Sequence, residues 1–402
     1  MTRVEDARPT RTTSGVAPLL ASTGISVTGD GAFLAAAPLL AASLTHNALE
    51  VSTVTAAFYA PWLVAGLPAG ALADRWPRRA VMISADLTRA AVLTGLALVI
   101  ATGHTSLPLL ITAILLVGVA QCFFDSASQA VIPMLIDRDK EALARTNGRY
   151  WAIDTVGRSL AGPPFGTATF ALNRLLPFAA DALSFVASAL CISRLPRMPA
   201  PNHQPEALTT AIRVGLRHLH STPELRLLAA TLATYNYAYN IAFATFVLYA
   251  TRILHVEDAG YGLLLATAAV GGILAGWRAA PLTRRLSYQQ VVAIACLAQG
   301  VVWLGVTLLS NAFATGAFLA LLGAASSLIS VAASSGRQSL TPDHLLGRVV
   351  SVFRFFGVGA AALGALTGGA IASAAGLHAP LWISAILMGI AASVTWPRRR
   401  HQ

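Results

Sequence analysis

Apolar runs long enough to cross a bilayer return twelve times along this 402-residue chain, at roughly 19–45, 51–73, 80–102, 107–131, 147–172, 175–194, 225–249, 260–280, 291–310, 315–334, 349–375 and 380–396. A helix of about 20 apolar residues spans the hydrocarbon core. Twelve such helices occupy about 240 positions and leave about 160 for loops and tails. No sizeable soluble domain fits beside them. Composition agrees: 55% of residues are hydrophobic and 11% charged, and mean hydropathy is +0.65, whereas soluble domains are about 25% charged. The sequence predicts an all-α polytopic membrane protein.

The net charge of +11 raises the question of nucleic-acid binding, which the placement of the basic residues answers. Of 28 basic residues, 23 fall in the tails, the even-to-odd loops and the central linker, on one face of a twelve-span chain. Only Arg174 and Arg252 fall on the other face, and Arg89, Arg158 and Arg354 lie within spans. By the positive-inside rule both termini are expected in the cytoplasm, and the membrane expected is the plasma membrane. The same count explains the basic charge without nucleic acid. Lys140 is the only lysine and is preceded by Asp139, so no phosphate-binding Gly-Lys-Ser/Thr loop exists and the chain holds no ATP site of that kind. Cys122, Cys191 and Cys296 lie in separate apolar runs, unsuited to a metal motif. Neither cofactor nor metal is expected.

The expected organisation is a cytoplasmic disordered tail at 1–18, a six-helix bundle at 19–194, a cytoplasmic linker at 195–224, a second six-helix bundle at 225–396 and a short tail at 397–402. In the linker, Leu208, Ile212, Leu216 and Leu219 recur at helical spacing, which predicts an amphipathic helix on the inner membrane surface. The halves echo each other weakly: Gly66, Gly70, Arg78 and Arg79 have counterparts at Gly272, Gly276, Arg284 and Arg285. Repeats of this kind place a transporter's site at the midplane between halves.

After span 2 stands Gly66-Leu67-Pro68-Ala69-Gly70-Ala71-Leu72-Ala73-Asp74-Arg75-Trp76-Pro77-Arg78-Arg79. It resembles the 2–3 loop signature of the major facilitator superfamily in Gly70, Leu72, Asp74, Arg75, Arg78 and Arg79, with Pro77 where a glycine is usual. Small residues let helices approach, and Asp74 can accept from a helix N-terminus. The resemblance implies a cytoplasmic gate with Asp125 as a candidate arginine partner; the alternative is that the arginines only fix topology. In span 5, Gly157 and Gly162-Pro163-Pro164-Phe165-Gly166 resemble that superfamily's antiporter motif, incompletely, since Thr167 replaces its last glycine. The alternative there is an ordinary kinked helix. Gly29-Asp30-Gly31, Pro61-Trp62-Leu63, the run Pro177 to Phe185, and Leu346-Gly347-Arg348-Val349 are similar to the bacterial efflux branch that includes macrolide-efflux proteins and the enterobactin exporter. The resemblance implies twelve helices in two pseudo-symmetric bundles.

Asp30, Asp86, Asp125, Asp154 and Asp181 lie in or at the edges of spans, all in the first half. A charge at helix centre costs about 2.5–3.5 kcal/mol on the insertion scale, so each wants a reason. Asp30 lies about 18 Å along span 1, near the midplane, with no basic residue in that helix. It is the candidate proton-coupling acid; a structural hydrogen bond is the alternative. Asp86 with Arg89, and Asp154 with Arg158, have the spacing of intrahelical ion pairs. Asp181 is expected near water at the outer end of span 6.

For substrate contact, span 7 offers Tyr235, Asn236, Tyr239 and Asn240, and span 4 offers Gln121. The serines of span 10 read more readily as helix-packing residues. The function expected is proton-driven export of a hydrophobic or amphipathic organic compound such as a drug, antibiotic or siderophore. A facilitator or importer on the same fold is the alternative, followed by a non-transporting sensor. An enzyme is not expected, because the nine histidines are scattered. The expected partners are the solute, protons and lipid, the expected state is a monomer, and the arginine- and alanine-rich composition suggests a GC-rich bacterium.

Overall fold

The computed structural model describes residues 15–73, 75–136, 140–196 and 208–397. Asp74 lies outside the described residues, as do parts of both expected tails and of the linker.

Among the described residues fifteen α-helices and one π-helical turn account for the twelve runs, and a sixteenth helix lies in the linker. The first bundle holds α1 (Val16–Leu44), α2 (Ala48–Val64), α3 (Gly66–Ala73), α4 (Arg78–Ala101), α5 (Leu107–Leu135), α6 (Lys140–Thr155), the π turn Val156–Ala161, α7 (Gly162–Leu172) and α8 (Leu176–Ser193). After α9 (Leu208–Ser221), the second bundle holds α10 (Pro223–Phe243), α11 (Phe246–Arg252), α12 (Asp258–Arg285), α13 (Tyr288–Leu309), α14 (Ala312–Leu340), α15 (Asp343–Ala375) and α16 (Ala379–Thr395). Among the described residues eight helices are individually long and apolar enough to span a membrane. The others come mainly from runs that break. Pro68 has no N–H for the carbonyl of Val64, where α2 ends. Pro163 and Pro164 likewise leave the carbonyls of Ser159 and Leu160 without their α-helical donors, and the chain widens there into the π turn, closed by Gly162 N–H on the Gly157 carbonyl.

Inside the first bundle α1 packs on α7 and α8, and α4 on α5 and α8; inside the second α12 packs on α14, and α13 on α14 and α16. The bundles meet along two seams, α2 against α15 and α7 against α12. Lipid supplies no hydrophobic drive between helices, so close approach of small residues matters most. A Cβ at Gly162 would press on the Gly31 Cα (2.6 Å) and the Thr28 carbonyl (2.7 Å). Only glycine there lets the span-5 backbone rest on α1.

Buried apolar residues are arranged differently at the two ends. One large cluster joins both bundles, with Leu40, Leu110 and Phe178 from the first and Phe246, Trp303 and Leu381 from the second. It lies at the face opposite the start of α1 and the end of α16. Toward that terminal face the core divides into clusters confined to one bundle or the other. The bundles are therefore joined at one end and parted at the other.

The linker helix α9 packs on α15, with Gly215 against the Arg348 carbonyl; His218 Nε2 lies 3.3 Å from the Leu340 carbonyl at the end of α14, and Leu219 joins a cluster with Leu225 and Phe353. Part of the stripe predicted for the membrane surface thus rests on protein.

Candidate functional site

Between the bundles lies a cavity of about 1310 Å³, lined from both sides. Phe33, Ile114 and Tyr261, toward the joined end, are buried, whereas Trp151 and Trp277, toward the terminal face, are exposed. The cavity opens on the terminal face. At the opposite end the bundles are tied by polar contacts. Arg252 donates to the His46 carbonyl (3.2 Å), and Ser373 Oγ donates to Asn47 Oδ1 (3.0 Å) while accepting from Leu49 N–H (3.0 Å).

Asp30 lines this cavity together with Asp125, Asp154 and Arg158. Asp30 has no basic neighbour within its own helix. Across helices, Arg158 Nη1 lies 3.0 Å from Asp30 Oδ2, and Nη2 lies 3.2 Å from Asp154 Oδ1. One guanidinium thus faces two carboxylates. The backbone makes this contact possible, because a Cβ at Gly31 would collide with the Arg158 carbonyl. Gly157, Gly162 and Gly166 all abut α1, while Thr167 Oγ1 donates to the Ala259 carbonyl of the second bundle (3.3 Å). The glycine-proline segment is at once a packing face within the first bundle and part of the seam with α12.

A second ionic group lies deeper in the first bundle. Arg89 is fully buried, pairs with Asp86 and donates to Gln121 Oε1. Its guanidinium stacks between Phe185 (4.0 Å) and Phe124 (4.6 Å). Ser188 Oγ donates to Asp86 Oδ2 (2.7 Å), and Gln121 Nε2 donates to Asp125 Oδ1 (2.8 Å). A hydrogen-bonded chain thus runs from Ser188 to the cavity wall at Asp125. Asp125 was expected near the end of its span as the partner of a loop arginine. It sits ten residues before the end of α5, about 15 Å inside, and faces Gln121 and the cavity. Of the loop arginines, Arg79 donates to the Ser193 carbonyl and Arg78 to Met134 Sδ; Arg75 is exposed and Gly70 lies within α3. The contact expected of Asp74 lies outside the described residues. Asp181, expected near water, is fully buried: it accepts from Ser184 Oγ (3.0 Å) and lies against Gly29.

Among the described residues the cavity wall from the second bundle carries no charge except Arg354. Tyr239 and Phe243 line the cavity; their rings stack at 5.1 Å, and Trp303 meets Tyr239 edge-on. Asn236 lines a smaller side pocket. Tyr235 and Asn240 stand behind the wall. The Asn240 amide donates one turn back to the Asn236 carbonyl (2.9 Å), and Tyr235 Oη donates to Ser326 Oγ (3.1 Å), which itself lines the cavity. Gln299 also donates to Ser326 Oγ (3.1 Å). Sequence reasoning missed Gln299, although an isolated amide within the run 291–310 was a usable signal. Among the described residues no cluster suited to a metal ion exists.

Comparison with known proteins agrees with this architecture. The chain is 31% identical to the multidrug efflux pump Tap of Mycolicibacterium fortuitum over 390 residues, 93% of each chain. It is 28% identical to the enterobactin exporter EntS of Citrobacter koseri over 358 residues, covering 86% of this chain and 82% of that one. Among solved structures, the nucleoside transporter NupG superposes with a TM-score of 0.78 at 12% identity over 95% of this chain and 98% of its own. An inward-facing, unoccupied bacterial homologue of the lysosomal transporter Spinster gives 0.74 at 14% over 96% and 97%; at such identities the likeness is one of fold. The model of the transmembrane secretion effector family matches residues 15–399, and the chain belongs to that family: it is a multi-pass membrane transporter of the major facilitator superfamily, and not an enzyme.

Proposed function

We propose that the protein exports a hydrophobic or amphipathic organic compound across the plasma membrane in exchange for protons, with both termini in the cytoplasm. The one-sided distribution of basic residues supports that orientation, under which the cavity opens inward. The relatives named for multidrug efflux and enterobactin export support the direction and the kind of solute.

The observation that carries the coupling is the shared guanidinium. In the inward-open state Arg158 compensates both Asp30 and Asp154. A proton taken up by Asp30 cancels one of these attractions and leaves Arg158 to Asp154, loosening α1 from span 5 at the point where they are in closest contact. Losing that proton to the cytoplasm restores the three-group arrangement. The energy of the gradient thus enters as a change in how one cation is shared.

Proteoliposomes carrying Asp30→Asn test this. A substrate gradient driven by an imposed pH difference should collapse, while substrate binding to the purified protein persists. Undiminished pH-driven export by this variant would overturn the assignment.

A further inference from the structure

A side pocket of about 350 Å³ opens beside the main cavity, between α2, α10, α14 and α15, and the two share Tyr59, Arg354 and Val358. Among the described residues its wall contains two arginines, Arg337 and Arg354, and no acid. Arg354 is eleven residues into α15, about 16 Å from its start, too deep to serve as a topology signal at the loop. A cation at such depth is expensive in a bilayer and is ordinarily paired. Asp30 and Asp154 are occupied by Arg158, and Asp125 by Gln121. Among the described residues Arg354 has no carboxylate partner; its guanidinium lies 3.8 Å from the centre of the Trp62 ring, across the seam. Stacking holds the plane and leaves the N–H edge available. Arg337 is placed the same way, over Phe353 (5.4 Å), with a buried Nε that has no acceptor.

Two oriented guanidinium groups without an anion form a receptor for one. We propose that this side pocket binds an oxyanion group, such as a carboxylate, sulfonate or phosphate, carried by the transported compound. The substrate is then an acidic amphiphile, its charge at Arg354 and Arg337 and its rings against Tyr59, Trp62 and Tyr239. The acids around Arg158 repel the anionic end, so the molecule enters in one orientation. This inference rests on reading the cavity as the substrate's path. The same oxyanion chemistry is also present in anionic lipid headgroups.

The test uses the full chain in detergent and two fluorescent probes of nearly equal shape, dansyl sulfonate and uncharged dansylamide. Wild type should bind the sulfonate more tightly. Arg354→Gln should weaken sulfonate binding about tenfold, the scale of one charge-assisted hydrogen bond, and leave dansylamide within about twofold. Arg354→Lys should recover part of the loss. If Arg354→Gln does not fold, Arg337→Gln makes the same comparison. Equal binding of both probes to wild type, equal weakening of both by the variant, or binding of neither overturns the proposal. Repeating the titration in nanodiscs identifies the source of the anion. Sulfonate preference that survives added phosphatidylglycerol supports a substrate site. Preference lost to phosphatidylglycerol, together with co-purification of that lipid with wild type only, makes this a lipid site and overturns the substrate assignment. Both measurements are made without a gradient, so failure of proton coupling in Asp30→Asn leaves their outcome unaffected.

Discussion

The two bundles descend on the same cavity with different chemistry. The first presents ionised groups held in networks: Arg158 between two aspartates, and Arg89 enclosed by Phe124, Phe185, Asp86 and Gln121. The second presents stacked rings and neutral amides and hydroxyls, with Tyr239, Phe243 and Ser326 in front and Trp303, Gln299 and Tyr235 behind. A wall of paired charges responds to a proton. On the proposed function, a wall of rings suits apolar solutes of varied shape. The difference teaches that pseudo-symmetry in backbone need not extend to task.

Substitutions can break that contrast. The largest effect should come from Arg89→Leu, which leaves Asp86 buried without its cation. Loss of about 3–5 kcal/mol is expected, read as a marked fall in melting temperature of the purified protein, and Asp86→Asn in the same chain should return part of it. Arg158→Gln should lower pH-driven transport at least about tenfold, because two carboxylates then face each other uncompensated; vesicle uptake measures it. Gly262→Val acts between the walls. Its Cβ would overlap Thr167 Oγ1 and crowd the Pro163 carbonyl, forcing apart the seam of α7 and α12. Cysteines placed near that seam should become more reactive toward an impermeant thiol reagent from outside. Tyr239→Ala should weaken binding of aromatic solutes about fivefold, the worth of one ring contact, with the pH dependence of transport unchanged. A shifted pH profile would show that the second wall shares in coupling. Ser373→Ala should be mildest: it removes a contact worth about 0.5–1.5 kcal/mol at the joined end, read as a small rise in opening toward that side.

The twelve-run pattern made the architecture legible, because hydrophobic length and the one-sided arginines are local properties of the chain. The Asp86–Arg89 and Asp154–Arg158 spacings were legible for the same reason. What the sequence did not disclose is what crosses between helices. Asp30 and Arg158 are 128 positions apart, and nothing in either run announces the contact. Their meeting depends on Gly31 and Gly162 bringing two backbones together. Asp125 lies deeper than the run 107–131 suggests, because α5 continues to Leu135, which moves the acid inward by about one turn. Tyr235 and Asn240 have the residue types of a cavity wall, and only helix rotation tells a residue in front of a wall from one behind it.

The π turn at Val156–Ala161 adds a mechanical consequence. Such a turn stores one residue beyond what its α-helical neighbours need for the same rise. Were that surplus passed along the helix, the residues it crossed would swing by about 100°. Arg158 lies inside the stored turn, so a slip of a single residue would swing it away from Asp30. Such a slip would be small beside the length of the span.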